Sequence, residues 1–229
     1  METAQVKTSF RYFTAIAGLF VAVLLISNVA AQKLFAFGPF TFTAGIILFP
    51  VAYIFGDVLT EVYGYARARQ VIWIGFAANL LLVVTIWIAI QLPPAEGWPL
   101  QEQFAAVLGL VPRIVLASVV AYWAGEFANS YVMAKMKVHM QGKRLYQRTI
   151  GSTIVGQGVD TALFVIIAFA GVIPANVLVA AGISGYVFKV LYEAVITPVT
   201  YLVVGFLKRA EGVDVYDQET DFQPFRFRM

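Results

Sequence analysis

The feature that most constrains this chain is a series of six long apolar segments separated by short loops. Each segment is about as long as the ~20 residues that a helix needs to cross the hydrocarbon core of a bilayer. We therefore predict an all-α integral membrane protein, built as one transmembrane domain over residues 1–229. The six predicted transmembrane helices are residues 10–31, 40–64, 70–92, 112–136, 146–170 and 175–207.

The composition supports a membrane domain and excludes several other classes. Hydrophobic residues make up 60% of the chain and charged residues only 13%, against about 25% charged in soluble domains. A net charge of +3 does not indicate a nucleic-acid partner. The chain has no cysteine, which excludes disulfides and thiolate metal sites. We expect no cofactor and no metal, and the lipid bilayer is the expected environment.

The loops predict the orientation of the chain. Nearly all loop Lys and Arg fall on the side that holds both termini, and the other side holds only Lys33. The positive-inside rule then places both termini in the cytoplasm, in a multi-pass protein of the inner (plasma) membrane. Residues 101–111 are too short to span and suit an interfacial helix, Pro198 suggests a kink, and the polar tail 208–229 is expected at the cytoplasmic surface. No cleavage site follows the first apolar segment, so we expect an uncleaved first span.

Charged side chains inside the predicted spans need a physical reason. A charge in the middle of a bilayer costs about 2.5–3.5 kcal/mol on insertion scales, so such residues usually line a path for a solute or ion. Asn79, Glu126 and Asp160 fall near the middle of the third, fourth and fifth spans, and Asp57 lies about one turn from the middle of the second. Polar groups on several helices at a similar depth predict one shared site.

Helical spacing groups these residues into stripes. Asp57 and Glu61 share a face and repel, so at least one should be paired, solvated or protonated. The predicted substrate-binding residues are Asp57, Asn79, Glu126, Asn129, Gln157 and Asp160, with Tyr53, Tyr122 and Tyr186 as stacking partners. The residues predicted to exchange a coupling ion or form ion pairs are Glu61, Lys189 and Glu193.

Several of these residues also have purely structural interpretations. Lys189 and Glu193 are four residues apart and can form a salt bridge within their own helix. Glu61 can instead interact with Arg67 or Arg69 at the cytoplasmic interface. Asn79 can serve as a hydrogen bond between helices rather than a ligand contact.

The motifs of this chain resemble those of a known family. The block from Phe49 to Tyr65, FPVAYIFGDVLTEVYGY, is similar to the characteristic block of the queuosine precursor transporters, the VUT or YhhQ family. The segments around Glu126, Gly151–Thr153 and Asp160, and the end of the chain, agree with the same family. The resemblance extends over nearly the whole chain.

The resemblance implies a function that composition alone does not provide. It implies a six-helix inner-membrane importer, not an enzyme, of 7-deazaguanine precursors such as 7-cyano-7-deazaguanine and 7-aminomethyl-7-deazaguanine, salvaged for queuosine in tRNA. A carboxylate can accept the adjacent N1–H and 2-amino donors of such a base. The membrane potential would also favour entry of the cationic aminomethyl form, by about 2.3 kcal/mol per 100 mV.

Other functions and assemblies stay open from the sequence. One rival is a proton-coupled carrier of another nucleobase- or vitamin-like solute, and a remote one is an intramembrane aspartyl protease using Asp57 and Asp160. A protease of that kind needs a Gly-x-Gly-Asp motif, which neither position matches. Three helices in each half are compatible with a three-plus-three inverted repeat. Small-residue faces are compatible with a homodimer.

Overall fold

A bundle of helices dominates the structure, a computed structural model that describes residues 10–30, 33–37, 40–109, 112–171, 174–218 and 220–225. Four helices contain a stretch long and apolar enough to cross a membrane: Phe13–Ala30, Tyr65–Gln91, Leu145–Ala168 and Gly185–Glu211. The prediction of a helical integral membrane protein is therefore confirmed. The α-helices are α1 (Phe13–Ala30), α2 (Phe49–Tyr63), α3 (Tyr65–Gln91), α4 (Gln101–Leu108), α5 (Pro112–His139), α6 (Leu145–Phe169) and α7 (Ala175–Glu211).

The start of the second predicted span is not helical. Strands β1 (Leu34–Phe37) and β2 (Phe40–Thr43) form an antiparallel hairpin, and a short 3-10 helix, Ala44–Ile47, follows. The alternating sequence Phe-Thr-Phe-Thr of β2 suits an extended strand. The helix begins only at Phe49, with Pro50 in its first turn, where the missing N–H of proline leaves no bond unmade. The prediction of a span from residue 40 was therefore wrong at its beginning.

A single glycine separates α2 from α3. Gly64 has φ +85°, and a Cβ atom there would lie 2.7 Å from Cγ1 of Val215. The turn thus requires glycine both for its backbone conformation and for the close approach of the C-terminal residues. Because α3 begins at Tyr65 and not at residue 70, Arg67 and Arg69 lie in its first turns and not in a loop.

Small residues bring α5 and α6 into close contact. A Cβ atom at Gly125 would lie 2.7 Å from Cβ of Asp160, and one at Gly156 would lie 2.7 Å from Cβ of Asn129. The two helix backbones can approach this closely only because neither position carries a side chain. Polar residues on both helices are thereby held beside one another.

The residues just before α1 and the end of α7 meet at one end of the bundle, called here the terminal end. The carboxylate of Glu211, at the end of α7, accepts hydrogen bonds from the backbone N–H groups of Arg11 and Tyr12, at 2.9 and 2.7 Å. The hydroxyl of Tyr63, at the end of α2, donates to the same carboxylate at 3.1 Å. The opposite half of the bundle is called the distal half. With 37 residues, α7 is about 55 Å long and continues through Pro198.

Candidate functional site

A cavity of about 250 Å³ lies in the distal half of the bundle. Its lining comes from the beginning of α2, from the middle and second half of α1 and α6, and from the first half and middle of α5 and α7. The lining residues are Phe20, Leu24, Ser27, Asn28, Ala52, Ser118, Tyr122, Gly125, Glu126, Gln157, Asp160, Phe164 and Lys189.

Glu126 presents a carboxylate to this cavity. Its Oε2 lies 3.2 Å from the place that a Cβ atom of Gly56 would occupy, so the missing side chain of Gly56 makes room for it. Among the described residues, Glu61, Asp160 and Asp214 form ion pairs with Lys or Arg side chains, whereas Glu126 forms none. Glu126 is therefore a hydrogen-bond acceptor available to a ligand with N–H donors.

The opposite charges of Asp160 and Lys189 meet at the cavity wall. Nζ of Lys189 on α7 donates to Oδ2 of Asp160 on α6 at 2.6 Å, and the two side chains keep 25% and 18% of their surface exposed. Lys189 thus pairs with a neighbouring helix, whereas the sequence suggested Glu193 on its own helix. A partly exposed pair offers a ligand both an acceptor and a donor.

Two buried polar groups and two aromatic rings also lie on the cavity wall. Oε1 of Gln157 and the hydroxyl of Tyr122 are buried and have no described hydrogen-bond partner. Unmade hydrogen bonds of buried groups are costly and commonly mark a place for water or ligand. The rings of Phe20 and Phe164 lie on the same cavity, where aromatic faces can stack on a planar base.

Three predicted site residues lie one layer below the cavity, toward the terminal end. Asp57 and Glu193 are only 1% and 0% exposed, and their carboxyl groups lie within hydrogen-bonding reach of each other. Nδ2 of Asn129 donates to Oδ1 of Asp57 at 3.4 Å. None of the three lines the cavity. Direct substrate contact by Asp57 and Asn129, and the coupling or ion-pair role of Glu193, therefore stay predictions.

Asn79 joins two helices beside the site. Nδ2 of Asn28 donates to Oδ1 of Asn79, and Nδ2 of Asn79 donates to the carbonyl of Gly75 at 3.0 Å. These bonds favour the structural interpretation of Asn79. The partner, Asn28, lines the cavity although the sequence analysis did not select it.

The remaining two aromatic candidates do not contribute to the described cavity wall. The hydroxyl of Tyr186 donates to the carbonyl of Ile154 at 3.1 Å, on an exposed face between α7 and α6. Tyr53 lies in α2, but its side chain falls outside the described part of the structure. Of the two predicted tyrosines whose side chains the structure describes, Tyr122 lines the cavity and Tyr186 does not.

Glu61 lies in a dense cluster of charges near the terminal end. Its carboxylate is paired with Arg148 and with Lys208, whose Nζ lies 2.5 Å from Oε1, and Nζ of Lys137 lies 3.6 Å from Oε1. Asp214 accepts from Lys137 and Lys208 at 2.5 and 2.8 Å. These five residues are called the charge cluster. Cations from α5, α6 and α7, rather than Arg67 or Arg69, neutralise Glu61.

The C-terminal residues cover the terminal end beside this cluster. Asp217 accepts hydrogen bonds from the backbone N–H of Tyr65, at 3.0 and 3.2 Å, and thereby caps α3. Arg69 donates to the carbonyls of Asp221 and Gln223, both at 2.8 Å. The indole N–H of Trp73 donates to the carbonyl of Pro224 at 2.8 Å. The tail therefore packs against α3 as part of the fold.

Known proteins resemble this chain over most of its length. The probable queuosine precursor transporter of Bacillus subtilis (strain 168) is 30% identical over 80% of this chain and 82% of its own length. The queuosine precursor transporter of Escherichia coli (strain K12) is 26% identical over 76% of this chain and 77% of its own length. No solved structure is significantly similar to the chain. The family model described as putative vitamin uptake transporter matches residues 43–203, and the chain belongs to this transporter family.

Proposed function

We propose that this protein imports 7-deazaguanine precursors of queuosine, such as the 7-cyano and 7-aminomethyl forms, through the distal cavity. Two relatives that align over most of this chain are named as queuosine precursor transporters. The observation that carries the proposal is the carboxylate of Glu126, which faces the cavity without a cationic partner among the described residues. A volume of about 250 Å³ suits a ligand somewhat smaller than drug-sized molecules.

The lining offers a partner for each edge of a 7-deazaguanine. The carboxylate of Glu126 can accept the N1–H and the 2-amino group together. Lys189 and the hydroxyl of Tyr122 can donate to O6, and Oε1 of Gln157 can accept the ring N–H. Phe20 and Phe164 can stack on the faces of the base. Such a site rejects analogues that leave its buried polar groups unpaired.

The membrane arrangement is part of the same proposal. The helices α2 and α5 join the four long apolar helices to make six spans, with both termini in the cytoplasm and the protein in the inner membrane. The distal half then faces the outside, and the cavity opens toward the incoming precursor. In a three-plus-three inverted repeat, helices α1–α3 would form the first unit and helices α5–α7 the second. A homodimer through small-residue faces is also proposed.

A carrier of another nucleobase- or vitamin-like solute is the second candidate, and the family description favours it. Uptake of a labelled precursor in competition with other nucleobases and vitamins distinguishes the two. A protease dyad of Asp57 and Asp160 finds no support, because Asp160 pairs with Lys189 and Asp57 contacts Glu193 and Asn129.

The direct test uses cells that cannot make queuosine and lack this transporter. A precursor is supplied at low concentration, and queuosine in tRNA is measured with and without the protein. We expect queuosine only with the protein, and a strong loss with Glu126→Gln. The matched control is Glu102→Gln, an exposed position on α4 that does not line the cavity. Equal queuosine with and without the protein would contradict the proposal.

A further inference from the structure

Asp57 and Glu193 form an acid pair in the middle of the bundle that the proposed substrate contacts do not use. The two side chains are almost completely buried, and their carboxyl groups lie within hydrogen-bonding reach. Oδ2 of Asp57 and both carboxyl oxygens of Glu193 receive no hydrogen bond from a described donor group. A carboxylate has no proton to donate, so this contact becomes a hydrogen bond only when one of the two acids is protonated.

The charges around the acid pair do not neutralise it. The groups that face it are Glu61 on α2, Glu126 on α5 and Arg148 on α6. Arg148 is already bound to Glu61 and to the carbonyls of Lys143 and Gly142. Two of these three described groups are therefore acids, and Arg148 is engaged elsewhere. Two adjacent carboxyls buried among like charges cannot both stay ionised without a large cost.

The acid pair lies between the cavity and the charge cluster. On α7, Glu193 follows the cavity residue Lys189 by one turn toward the terminal end. On α2, Asp57 precedes Glu61 of the charge cluster by one turn. On α5, Asn129, which donates to Asp57, follows the cavity residue Glu126 by three residues. A change at the acid pair is thus one helical turn from both the cavity and the charge cluster.

We propose that Asp57 and Glu193 together bind one proton and couple its movement to precursor uptake; this inference rests on the proposed function. The proton enters from the distal side and is held between a carboxyl oxygen of each residue. It leaves to the terminal side when the substrate does. No bond other than O–H forms or breaks, and each transport cycle returns the pair to its starting state.

The experiment uses the full chain in liposomes with 7-cyano-7-deazaguanine, a neutral precursor on which the membrane potential does not act directly. The potential is held at zero, and an inward proton gradient of one pH unit is imposed. Coupling to one proton supplies about 1.4 kcal/mol, which corresponds to a tenfold accumulation. The wild type is expected to approach this accumulation, and a protonophore should abolish it.

Exchange of labelled for unlabelled precursor, measured without any gradient, shows whether each variant is folded and binds substrate. Glu193→Gln is expected to keep exchange but lose the response to the proton gradient, and Asp57→Asn should lose the same response. Glu102→Gln, at an exposed position on α4, is the matched control and should keep both exchange and the response.

The outcomes separate the two proposals. Wild-type exchange without a response to the proton gradient, or with a response to a sodium gradient instead, overturns the acid pair as a proton site. A full proton response in Glu193→Gln overturns it as well. If the wild type shows no precursor exchange at all, the proposed function fails and takes this inference with it.

Discussion

The distal half and the terminal end of this bundle both contain acidic side chains inside the protein, but the partners of these acids differ between the two regions. At the terminal end, Glu61 is surrounded by Arg148, Lys137 and Lys208, and Glu211 accepts three hydrogen bonds from the beginning of α1 and from Tyr63. In the distal half and the layer below it, Glu126 and Glu193 have no cation among the described residues. The first arrangement holds helices together, and the second keeps polar groups available.

This contrast explains how one bundle can be both stable and able to bind a ligand. Removing one partner of a buried ion pair costs much stability, because the other charge is left buried without a counter-charge. A buried acceptor without a partner costs stability and is retained where a ligand or proton supplies the missing bond. We therefore predict that variants at the terminal end lose mainly stability, whereas variants at the cavity lose mainly transport.

The largest stability effect is expected for Glu61→Gln. The change leaves Arg148 buried without its counter-charge, and removal of one partner from a buried pair costs about 3–5 kcal/mol. The measurement is thermal unfolding of the detergent-solubilised protein. Glu102→Gln, on an exposed surface of α4, is the control and should unfold like the wild type. Equal stability of Glu61→Gln and wild type would mean that the charge cluster does not hold the terminal end together.

The second effect concerns transport. Glu126→Gln removes the charge that assists two proposed hydrogen bonds, and bonds to charged groups contribute about 1.5–3 kcal/mol. We expect a loss of about ten- to hundredfold in apparent affinity for the precursor. The unfolding temperature should stay near that of the wild type, because no described cation loses its partner. If Glu126→Gln lowers the unfolding temperature together with uptake, the proposed difference between the two regions is wrong.

A smaller effect is expected at the cap of α3. Asp217 is 3% exposed and accepts the N–H of Tyr65, so Asp217→Ala should cost about 0.5–2 kcal/mol of stability. Asp217→Asn keeps an acceptor oxygen and should recover most of this loss. Unfolding of both variants measures the difference. If alanine and asparagine are equally destabilising, the hydrogen bond to Tyr65 is not the cause.

The smallest expected effect is the contribution of Asp214 to the pH dependence of folding stability. Partial burial tends to raise the pKa of Asp214, but hydrogen bonds from Lys137 and Lys208 outweigh burial and hold the pKa below its usual value. A lowered pKa in the folded state means that this group stabilises the protein above its unfolded pKa of about 4 and loses that contribution as the pH falls through the lowered value.

The matching measurement compares unfolding of the wild type and Asp214→Asn as a function of pH. The stability difference should be present at neutral pH and should shrink below about pH 4. The difference is expected to be modest, because the Asp214 side chain is 42% exposed and its ion pairs are screened by solvent. A difference that grows as the pH falls would contradict the assigned pairing.

The sequence predicted most of the helices and part of the cavity wall for a clear physical reason. Apolar length defines a membrane helix, and polar residues at equal depth on one face identify the side chains that point inward. Tyr122, Glu126, Gln157 and Asp160 were found in this way, and all four line the cavity.

What the sequence could not supply was the pairing between helices. Spacing suggested partners within one helix or nearby, whereas Glu61 binds Arg148 and Lys189 binds Asp160 across helix contacts. Phe20 and Phe164 were missed because an aromatic residue that faces a cavity looks the same in sequence as one that faces lipid. The hydrogen bond by which Asp217 caps α3 at Tyr65 joins residues far apart in the chain, so no local motif predicts it.

The most direct test of the account is protection of a cavity residue by substrate. The chain has no cysteine, so Ser118→Cys places a single thiol on the cavity wall. A membrane-impermeant thiol reagent applied from the side opposite the termini should label it, and 7-cyano-7-deazaguanine should slow the labelling. Ser130→Cys, 1% exposed between α5 and α2, should stay unlabelled. Labelling of Ser118→Cys that is unaffected by saturating precursor would contradict the assignment of this cavity as the substrate site.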